Sequence, residues 1–235
     1  MHMKLLKRIG NFICWALMFS NFSAYAIDCL GESGNSVIYQ KVQLSGGEVC
    51  LVGSGNGVDV VALYSNGGPL LRNSVLVSKS DVADGSVHIE AAEGVVKIYF
   101  EYPNNVYSID FDVKDFSIKE SLVVSTLRGS NGEVPSKLIL RSKPGVIARA
   151  RFELVDKNEL FGRGDLILAK EVETSVSYSK SRIYREPNLK KGSEIYLAEG
   201  DVVRVLSYRD GWLKVLYKMP SGKAVKGWLT ISSVI

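Results

Sequence analysis

The sequence predicts an all-β protein, in which an antiparallel, sandwich-like N-terminal domain precedes a small C-terminal barrel. Short runs rich in Val, Ile and Tyr recur at intervals of about ten residues. Turn-forming Gly, Asn, Asp and Pro residues separate these runs, and no stretch has a long helical repeat. We therefore expect antiparallel sheets through most of the chain.

Residues 1–26 have the pattern of a secretory signal peptide. A basic start precedes a short apolar run, and the segment finishes on small residues around Ala26. The run is too short and too interrupted to span a membrane comfortably. The acidic residue before Cys29 does not suit lipid attachment. We therefore expect cleavage after about Ala26 and a periplasmic protein with no membrane anchor.

Removal of this segment nearly balances the charge of the chain. The remainder has 26 Lys and Arg against 25 Asp and Glu, a net charge of +1. From Tyr178 onward there are 11 basic and five acidic residues, whereas the preceding part has a net charge of −5. The overall charge gives no support to a nucleic-acid partner, and export argues against one.

The exported part contains two cysteines, Cys29 and Cys50. An even pair in an oxidising compartment favours a disulfide. Closing a loop of this length would stabilise the fold by about 3 kcal/mol in the chain-entropy model. The alternative, a reactive thiol, has no evident partner base in the sequence.

The N-terminal domain is expected to span residues 27–177, and the part from about 122 either completes it or bridges to the next domain. Its predicted strands read VIYQKVQL, EVCLVG, VDVVALY, SVLVS, SVHIEA, VVKIYFEY and VYSIDFDV. Pro103-Asn104-Asn105 predicts a hairpin that brings Tyr102 and Tyr107 close together.

Three later segments of this domain carry predictions of their own. KDFSIKESLVVSTL is compatible with a short helix. VIARARFELV predicts a half-buried strand, because Ala148, Ala150, Phe152 and Leu154 share one face. DLILAKEV is expected to return antiparallel to that strand.

The C-terminal domain is expected to span residues 178–235. Its predicted strands read RIY, SEIYL, DVVRVLSY, WLKVLYKM and AVKGWL. Alternation places Val203 with Val205, and Leu213 with Val215 and Tyr217, toward a small core. Glycines precede both Gly-Trp-Leu tryptophans and are expected to let the backbone bend there.

This domain resembles the bacterial SH3-like domain. The similarity rests on an ordered series of features: SRIYREPN, the step LAEGD, the strand VVRVL, DGW followed by KV, and a late GWL. The resemblance covers about residues 178–235 and implies a small barrel that binds wall peptides or proteins.

By position, the resemblance implies an aromatic groove that binds the partner. Aromatic side chains suit such a groove because they bury a large area at a low cost in conformational entropy. The candidate binding residues are Tyr184, Tyr196, Tyr208, Trp212 and Trp228. For Trp228 the alternative is a place in the barrel core, together with Tyr217.

The sequence does not favour catalysis. His88 is the single histidine after the signal peptide, so neither a Cys/His/His set nor a His-rich zinc site can be assembled. We expect no metal and no cofactor. Asp110 and Asp112 share one face of a predicted strand, where they alternate with Phe111 and Val113. A glycosidase needs two carboxylates that face each other across a cleft, and the sequence gives these two no evident partner of that kind.

We therefore expect a non-catalytic, exported recognition protein. Its partner would be a protein, for example a toxin or a cell-wall-degrading enzyme that it blocks as an immunity or inhibitor protein. An accessory protein that binds peptidoglycan through the SH3-like domain is the alternative. A cell-wall enzyme with activity in the N-terminal domain is a third hypothesis.

Overall fold

The computed structural model describes residues 29, 36–55, 57–64, 70–127 and 136–235. The predicted signal peptide at residues 1–26 lies outside these ranges. Within them, no helix has the length and apolar character needed to cross a membrane.

The described ranges form three antiparallel sheets, and this confirms the predicted all-β class. The front sheet has the strand order β1-β2-β3-β4. Its strands are β1 (Ile38–Leu44), β2 (Gly47–Ser54), β3 (Gly57–Tyr64) and β4 (Leu71–Val77). The middle sheet has the order β10-β9-β8-β7-β6-β5. Its strands are β5 (Val87–Ala92), β6 (Val95–Tyr102), β7 (Asn105–Asp112), β8 (Ile118–Thr126), β9 (Lys137–Ser142) and β10 (Leu166–Leu168).

The C-terminal sheet has the order β11-β14-β15-β16-β12-β13. Its strands are β11 (Val172–Ser175), β12 (Ser181–Tyr184), β13 (Gly192–Leu197), β14 (Val202–Arg209), β15 (Trp212–Lys218) and β16 (Ala224–Thr230). The sheet therefore includes β11, which precedes residue 178. Its closure into a barrel stays a prediction.

Short helical segments connect the strands. They are the α-helices α1 (Lys79–Ala83), α2 (Pro144–Ile147) and α3 (Lys157–Phe161), and the 3₁₀ turns η1 (Arg163–Asp165), η2 (Leu189–Lys191) and η3 (Ile231–Ser233).

Two hydrophobic cores hold the three sheets together. The first joins the front and middle sheets, and among its members are Val60 of β3, Phe100 of β6 and Phe111 of β7. The second joins the middle sheet to the C-terminal sheet, with Leu140 of β9 against the inner side chains of β14–β16. Tyr107 packs against both cores. The two predicted domains therefore share apolar contacts through the middle sheet.

The front and middle sheets are also joined at their edges by one side chain. The Gln40 amide on β1 donates to the Ile89 carbonyl at 2.8 Å and accepts from the Ile89 N–H at 2.9 Å. The Gln40 amide thus forms with Ile89 the two hydrogen bonds that a neighbouring strand would otherwise form on the outer edge of β5. It thereby satisfies backbone groups that an edge strand would otherwise leave open.

The predicted disulfide is confirmed between Cys29 and Cys50, whose Cα atoms lie 6.4 Å apart. Both cysteines are fully buried. The nearby Glu48 carboxylate accepts a hydrogen bond from the Cys29 N–H and pairs with the Lys41 ammonium at 2.5 Å. The disulfide thus anchors Cys29 against β2.

The predicted hairpin at residues 103–105 is confirmed, and the Tyr102 and Tyr107 rings lie 5.7 Å apart. The short helix expected in KDFSIKESLVVSTL is wrong, because this segment contains β8. β8 pairs with β7 on one side and β9 on the other, and its side chains alternate between buried and more exposed positions. Its Ile, Val and Thr residues suit that pleated surface.

The half-buried strand expected for VIARARFELV is also wrong. Pro144 begins the helical turn α2, a position that suits its fixed φ. The following turns bury Phe152 and Val155 but leave Leu154 70% exposed. The carbonyls of Phe152 and Val155 accept hydrogen bonds from the Asn73 side chain. DLILAKEV therefore has no strand to return against, and its first part, β10, pairs with β9 instead.

Candidate functional site: an aromatic face on the C-terminal sheet

A two-residue turn sets the position of Trp212. β14 ends at Arg209 and β15 begins at Trp212, and these two residues are paired across the hairpin. The intervening Asp210 and Gly211 have φ values of 50° and 85°. Such a turn needs positive φ at both central residues, which explains the Asp-Gly sequence. Gly211 therefore turns the chain directly before the tryptophan, as expected.

Alternation along β15 and β16 separates two faces of the sheet. Leu213 and Val215 on β15, and Leu229 on β16, are fully buried and belong to the second core. Trp212 and Trp228 alternate with these residues and belong to neither core. Both tryptophans are half-buried. The outer face of the sheet thus contains both of them, whereas Tyr217 lies in the core.

Tyr184 completes the aromatic cluster on this outer face. It is paired with Trp228 between β12 and β16. Its ring lies 5.0 Å from the Trp212 ring at an interplanar angle of 79°, an edge-to-face arrangement. We call Tyr184, Trp212 and Trp228 the aromatic face.

Gly227, which precedes Trp228, has a different role from Gly211. It lies inside β16 and is buried. A Cβ atom there would lie 2.2 Å from Cγ2 of Ile183 and 2.9 Å from the Tyr184 carbonyl oxygen. The bend expected at this glycine is therefore replaced by a close approach of β12 to β16, which brings Tyr184 onto the aromatic face.

Two cationic side chains border the aromatic face. The Lys214 ammonium lies 5.9 Å from the centre of the Trp228 ring, and the two residues are paired across β15 and β16. The Arg182 guanidinium lies 5.6 Å from the centre of the Tyr196 ring. Tyr196 is 54% exposed on the edge strand β13, where it is paired with Arg182. It therefore extends the same surface toward the sheet edge.

Tyr208 does not join this surface. It is only 8% exposed and belongs to the second core. Strict alternation from Val203 and Val205 would place it on the outer face, but a register shift between Val205 and Ser207 returns it to the inner face. Burial raises the pKa of Tyr208, and a backbone hydrogen bond from Gly211 opposes that rise.

A cleft of about 450 Å³ adjoins Tyr184. Its walls include Ile195 and Val225, and Arg185, Glu194 and Lys226 contribute charged groups of both signs. β12 pairs with β16 only through Tyr184 and Trp228 among the described residues, so the two strands diverge beside this cleft. The aromatic face thus continues into a concave, mixed-charge surface.

The groups considered for chemistry have structural partners. His88 stacks on Tyr99, with ring centroids 4.7 Å apart. The Asp110 carboxylate pairs with the Lys97 ammonium at 2.9 Å, and the Asp112 carboxylate pairs with the Lys119 ammonium at 2.9 Å. Cys29, Glu48 and Cys50 place sulfur and carboxylate atoms close together, but the disulfide occupies both sulfurs.

Lys214 and Arg182 are members of this surface that were not among the candidate residues expected from the sequence. A signal was available, because Lys214 is two residues from Trp212 and Arg182 is two residues from Tyr184. Residues two apart on a strand share a face.

Comparison of this chain with protein-family models, with curated proteins and with solved structures finds no match.

Proposed function

We propose that this chain is an exported, non-catalytic recognition protein that binds another protein through the aromatic face. One observation supports this most directly: Tyr184, Trp212 and Trp228 cluster on the outer side of the C-terminal sheet and belong to neither core. Aromatic clusters of this kind are typical centres of binding energy in protein interfaces. The resemblance of residues 178–235 to bacterial SH3-like domains supports the same class of function.

The positive charges beside the aromatic face indicate which charges a partner's surface would carry. Lys214 and Arg182 border the aromatic rings, and the chain from Tyr178 onward has a net charge of +6. A complementary partner would present an apolar patch with acidic residues around it. Tyr and Trp rings would supply the buried contact area, and the charges would supply orientation and a faster encounter.

The compartment limits the class of partner. The Cys29–Cys50 disulfide suits an extracellular or periplasmic location, and the first 26 residues have the pattern of an export signal. The partner in this proposal is a toxin or a cell-wall-degrading enzyme of that compartment. The protein would block it as an immunity or inhibitor protein.

One observation favours a second function, binding of peptidoglycan peptides. The cleft beside Tyr184 brings together Arg185, Lys226 and Glu194 around apolar walls. A wall stem peptide has charges of both signs on a short chain, and such a chain would match these groups. In this alternative the protein is a peptidoglycan-binding accessory protein.

Two assays with the same set of variants separate these functions. The first is affinity capture from periplasmic extract, and the second is co-sedimentation with purified peptidoglycan. The variants are wild type, Trp212→Ala, Trp228→Ala and Tyr178→Ala. Tyr178 is 59% exposed and lies outside the aromatic face, so Tyr178→Ala is the matched control.

The proposal expects wild type and Tyr178→Ala to capture the same protein, and both tryptophan variants to lose it. Sedimentation with the wall in the absence of any captured protein would overturn the proposal in favour of the alternative. Hydrolysis of wall fragments by the purified protein would overturn the non-catalytic assignment.

A further inference from the structure

A second aromatic cleft lies between the β6–β7 hairpin and α3, apart from the aromatic face. Its volume is about 400 Å³, within the usual range of small-ligand pockets. The Tyr102 and Tyr107 rings lie 5.7 Å apart at 79°, and the Tyr107 and Phe161 rings lie 5.0 Å apart at 64°. All three rings are half-buried and line the cleft. The cleft therefore offers aromatic surface to a ligand.

The charged group in this cleft already has a partner. The Lys157 ammonium lies 2.6 Å from the Asp81 carboxylate and 3.3 Å from the Tyr102 hydroxyl. The Tyr102 hydroxyl donates to the other Asp81 oxygen at 2.8 Å. Ser78 donates to the same carboxylate through its N–H and its hydroxyl, at 2.8 and 2.7 Å. The local charges balance, so an anionic ligand would gain little from Lys157.

The remaining polar groups lie at the edge of the cleft. Asn158 is exposed and lines it, and its side-chain amide offers both donors and an acceptor. Gly162 also lines the cleft and adds backbone without a side chain. The cleft thus combines aromatic walls, no net local charge and an amide at the edge.

We propose that this cleft binds an uncharged sugar ring. A pyranose has an apolar C–H face, which matches an aromatic wall, and a rim of hydroxyl groups, which matches the Asn158 amide. A purely apolar ligand would gain no hydrogen bond from that amide, and an anion would have to compete with the Asp81 carboxylate for Lys157. The site belongs to the N-terminal part of the chain and does not depend on the function of the aromatic face.

The test is an NMR titration of the whole protein with defined neutral probes. The sugar probes are glucose, maltose, N-acetylglucosamine and its β-1,4 disaccharide. N-acetyl-phenylalanine amide is the comparison probe for an aromatic side chain. We expect saturable binding of at least one sugar with a dissociation constant on the order of 1 mM. The backbone signals of Asn158 and Gly162 should shift, whereas the indole N–H signals of Trp212 and Trp228 should not.

The variants are chosen so that folding and binding can be separated. Phe161→Leu keeps apolar volume against both cores but removes the ring, and we expect it to weaken binding by about tenfold. Asn158→Ala changes an exposed residue and should also weaken binding. Tyr178→Leu, the matched control, should leave the affinity unchanged, and circular dichroism checks that each variant is folded.

The following results would overturn the inference. These are no shift with any sugar, binding of only the phenylalanine probe, and sugar binding that Phe161→Leu and Asn158→Ala both leave intact. Shifts confined to the indole signals would place sugar binding on the aromatic face, which would also contradict this assignment. Loss of the protein partner proposed above would not affect any of these readouts.

Discussion

The two-sheet N-terminal part and the C-terminal sheet differ in where they place their most distinctive polar and tryptophan side chains. In the N-terminal part, polar side chains lie inside: Asn73 is fully buried and Asp81 is 5% exposed. In the C-terminal sheet, the two tryptophans lie on the outer face: Trp212 and Trp228 alternate with the core residues of their strands, whereas Tyr208 and Tyr217 are buried. The first part is irregular between its strands, and the second is built largely from paired strands.

We infer a different role for each set of residues from this difference. The buried polar groups hold α1, α3 and the turns at residues 152–155 against the sheets, because these segments lack strand partners for their backbone groups. The C-terminal sheet satisfies its backbone through strand pairing. Its outer aromatics are therefore not required for that pairing, which agrees with the binding role proposed for them.

Removal of the Asn73 side chain should have the largest effect on stability. Its Nδ2 donates to the Phe152 and Val155 carbonyls at 2.5 and 2.8 Å, and its Oδ1 accepts from the N–H groups of Val75 and Leu76 at 2.9 and 2.7 Å. Asn73→Ala leaves these buried groups without partners. We expect a loss of about 3–4 kcal/mol in the free energy of unfolding.

Chemical denaturation of Asn73→Ala and Asn188→Ala provides the measurement for this prediction. Asn188 is an exposed asparagine that accepts a hydrogen bond from the Lys190 N–H. Asn188→Ala should cost about 1 kcal/mol or less. Equal effects of the two variants would contradict the role assigned to buried polar groups in the N-terminal part.

Gly227→Ala should produce the next largest effect, because the added Cβ would meet Cγ2 of Ile183 at 2.2 Å. We expect a loss of about 2–3 kcal/mol from overpacking. Gly222→Ala is the control: it lies in open space at a φ of 84° and should cost about 1 kcal/mol. Thermal or chemical unfolding of both variants would show whether strand approach or backbone conformation dominates. A smaller loss at Gly227 than at Gly222 would refute the close-approach role.

Lowering the pH should reduce the stability of the N-terminal part, because the Asp81 carboxylate becomes protonated. Burial alone would raise the pKa of Asp81, but hydrogen bonds from Lys157, Ser78 and Tyr102 outweigh it and lower the pKa from 3.8 to about 2. Because the folded-state pKa lies below the unfolded value, this stabilisation is present above about pH 4 and is lost as the pH falls to about 2. Its size is about 1–2 kcal/mol after solvent screening is allowed for.

Unfolding measured between about pH 2 and pH 6 checks this, with Asp81→Asn compared to wild type. The difference in stability should be present near pH 6 and should shrink toward pH 2. Asp84→Asn, which changes an exposed aspartate close by, serves as the control. A difference that stays constant with pH would show that the Asp81 charge does not contribute.

Trp212→Ala should cost less stability than truncation of a core residue, because its large ring is only half-buried on the outer face. Its edge-to-face contact with Tyr184 accounts for about 1 kcal/mol or less. The neighbouring Leu213 is fully buried on the other face, and Leu213→Ala should cost about 2–5 kcal/mol. The melting temperatures of Trp212→Ala and Leu213→Ala therefore compare the contributions of the outer and inner faces of β15 to stability. A loss of 3–5 kcal/mol at Trp212, on the scale of a buried aromatic, would place it in the core.

The fold was predictable where short-range patterns determine the backbone. Alternation identified the inner residues of β15, and the Pro-Asn-Asn sequence marked the hairpin turn between β6 and β7. The segment around Phe152 was not predictable in this way. Its carbonyls are bound by Asn73, which lies 79 residues earlier in the chain. A contact at that separation leaves no trace in local periodicity.

The candidate site was predictable in part for a related reason. The positions of Trp212, Trp228 and Tyr184 follow from strict alternation on their strands. The position of Tyr208 does not, because a single bulge after Val205 reverses the face. A bulge depends on how two strands pair, and the residues of one strand do not reveal it.

The placement of the tryptophans also makes the intrinsic fluorescence of the protein a reporter of one surface. The chain has three tryptophans, and Trp212 and Trp228 are the two that lie in the described residues. If cleavage after Ala26 removes Trp15, all indole emission of the exported protein comes from one side of one sheet. A shift or quenching of that emission would then report contact at this surface without any added label. Binding elsewhere on the molecule would leave the emission nearly unchanged.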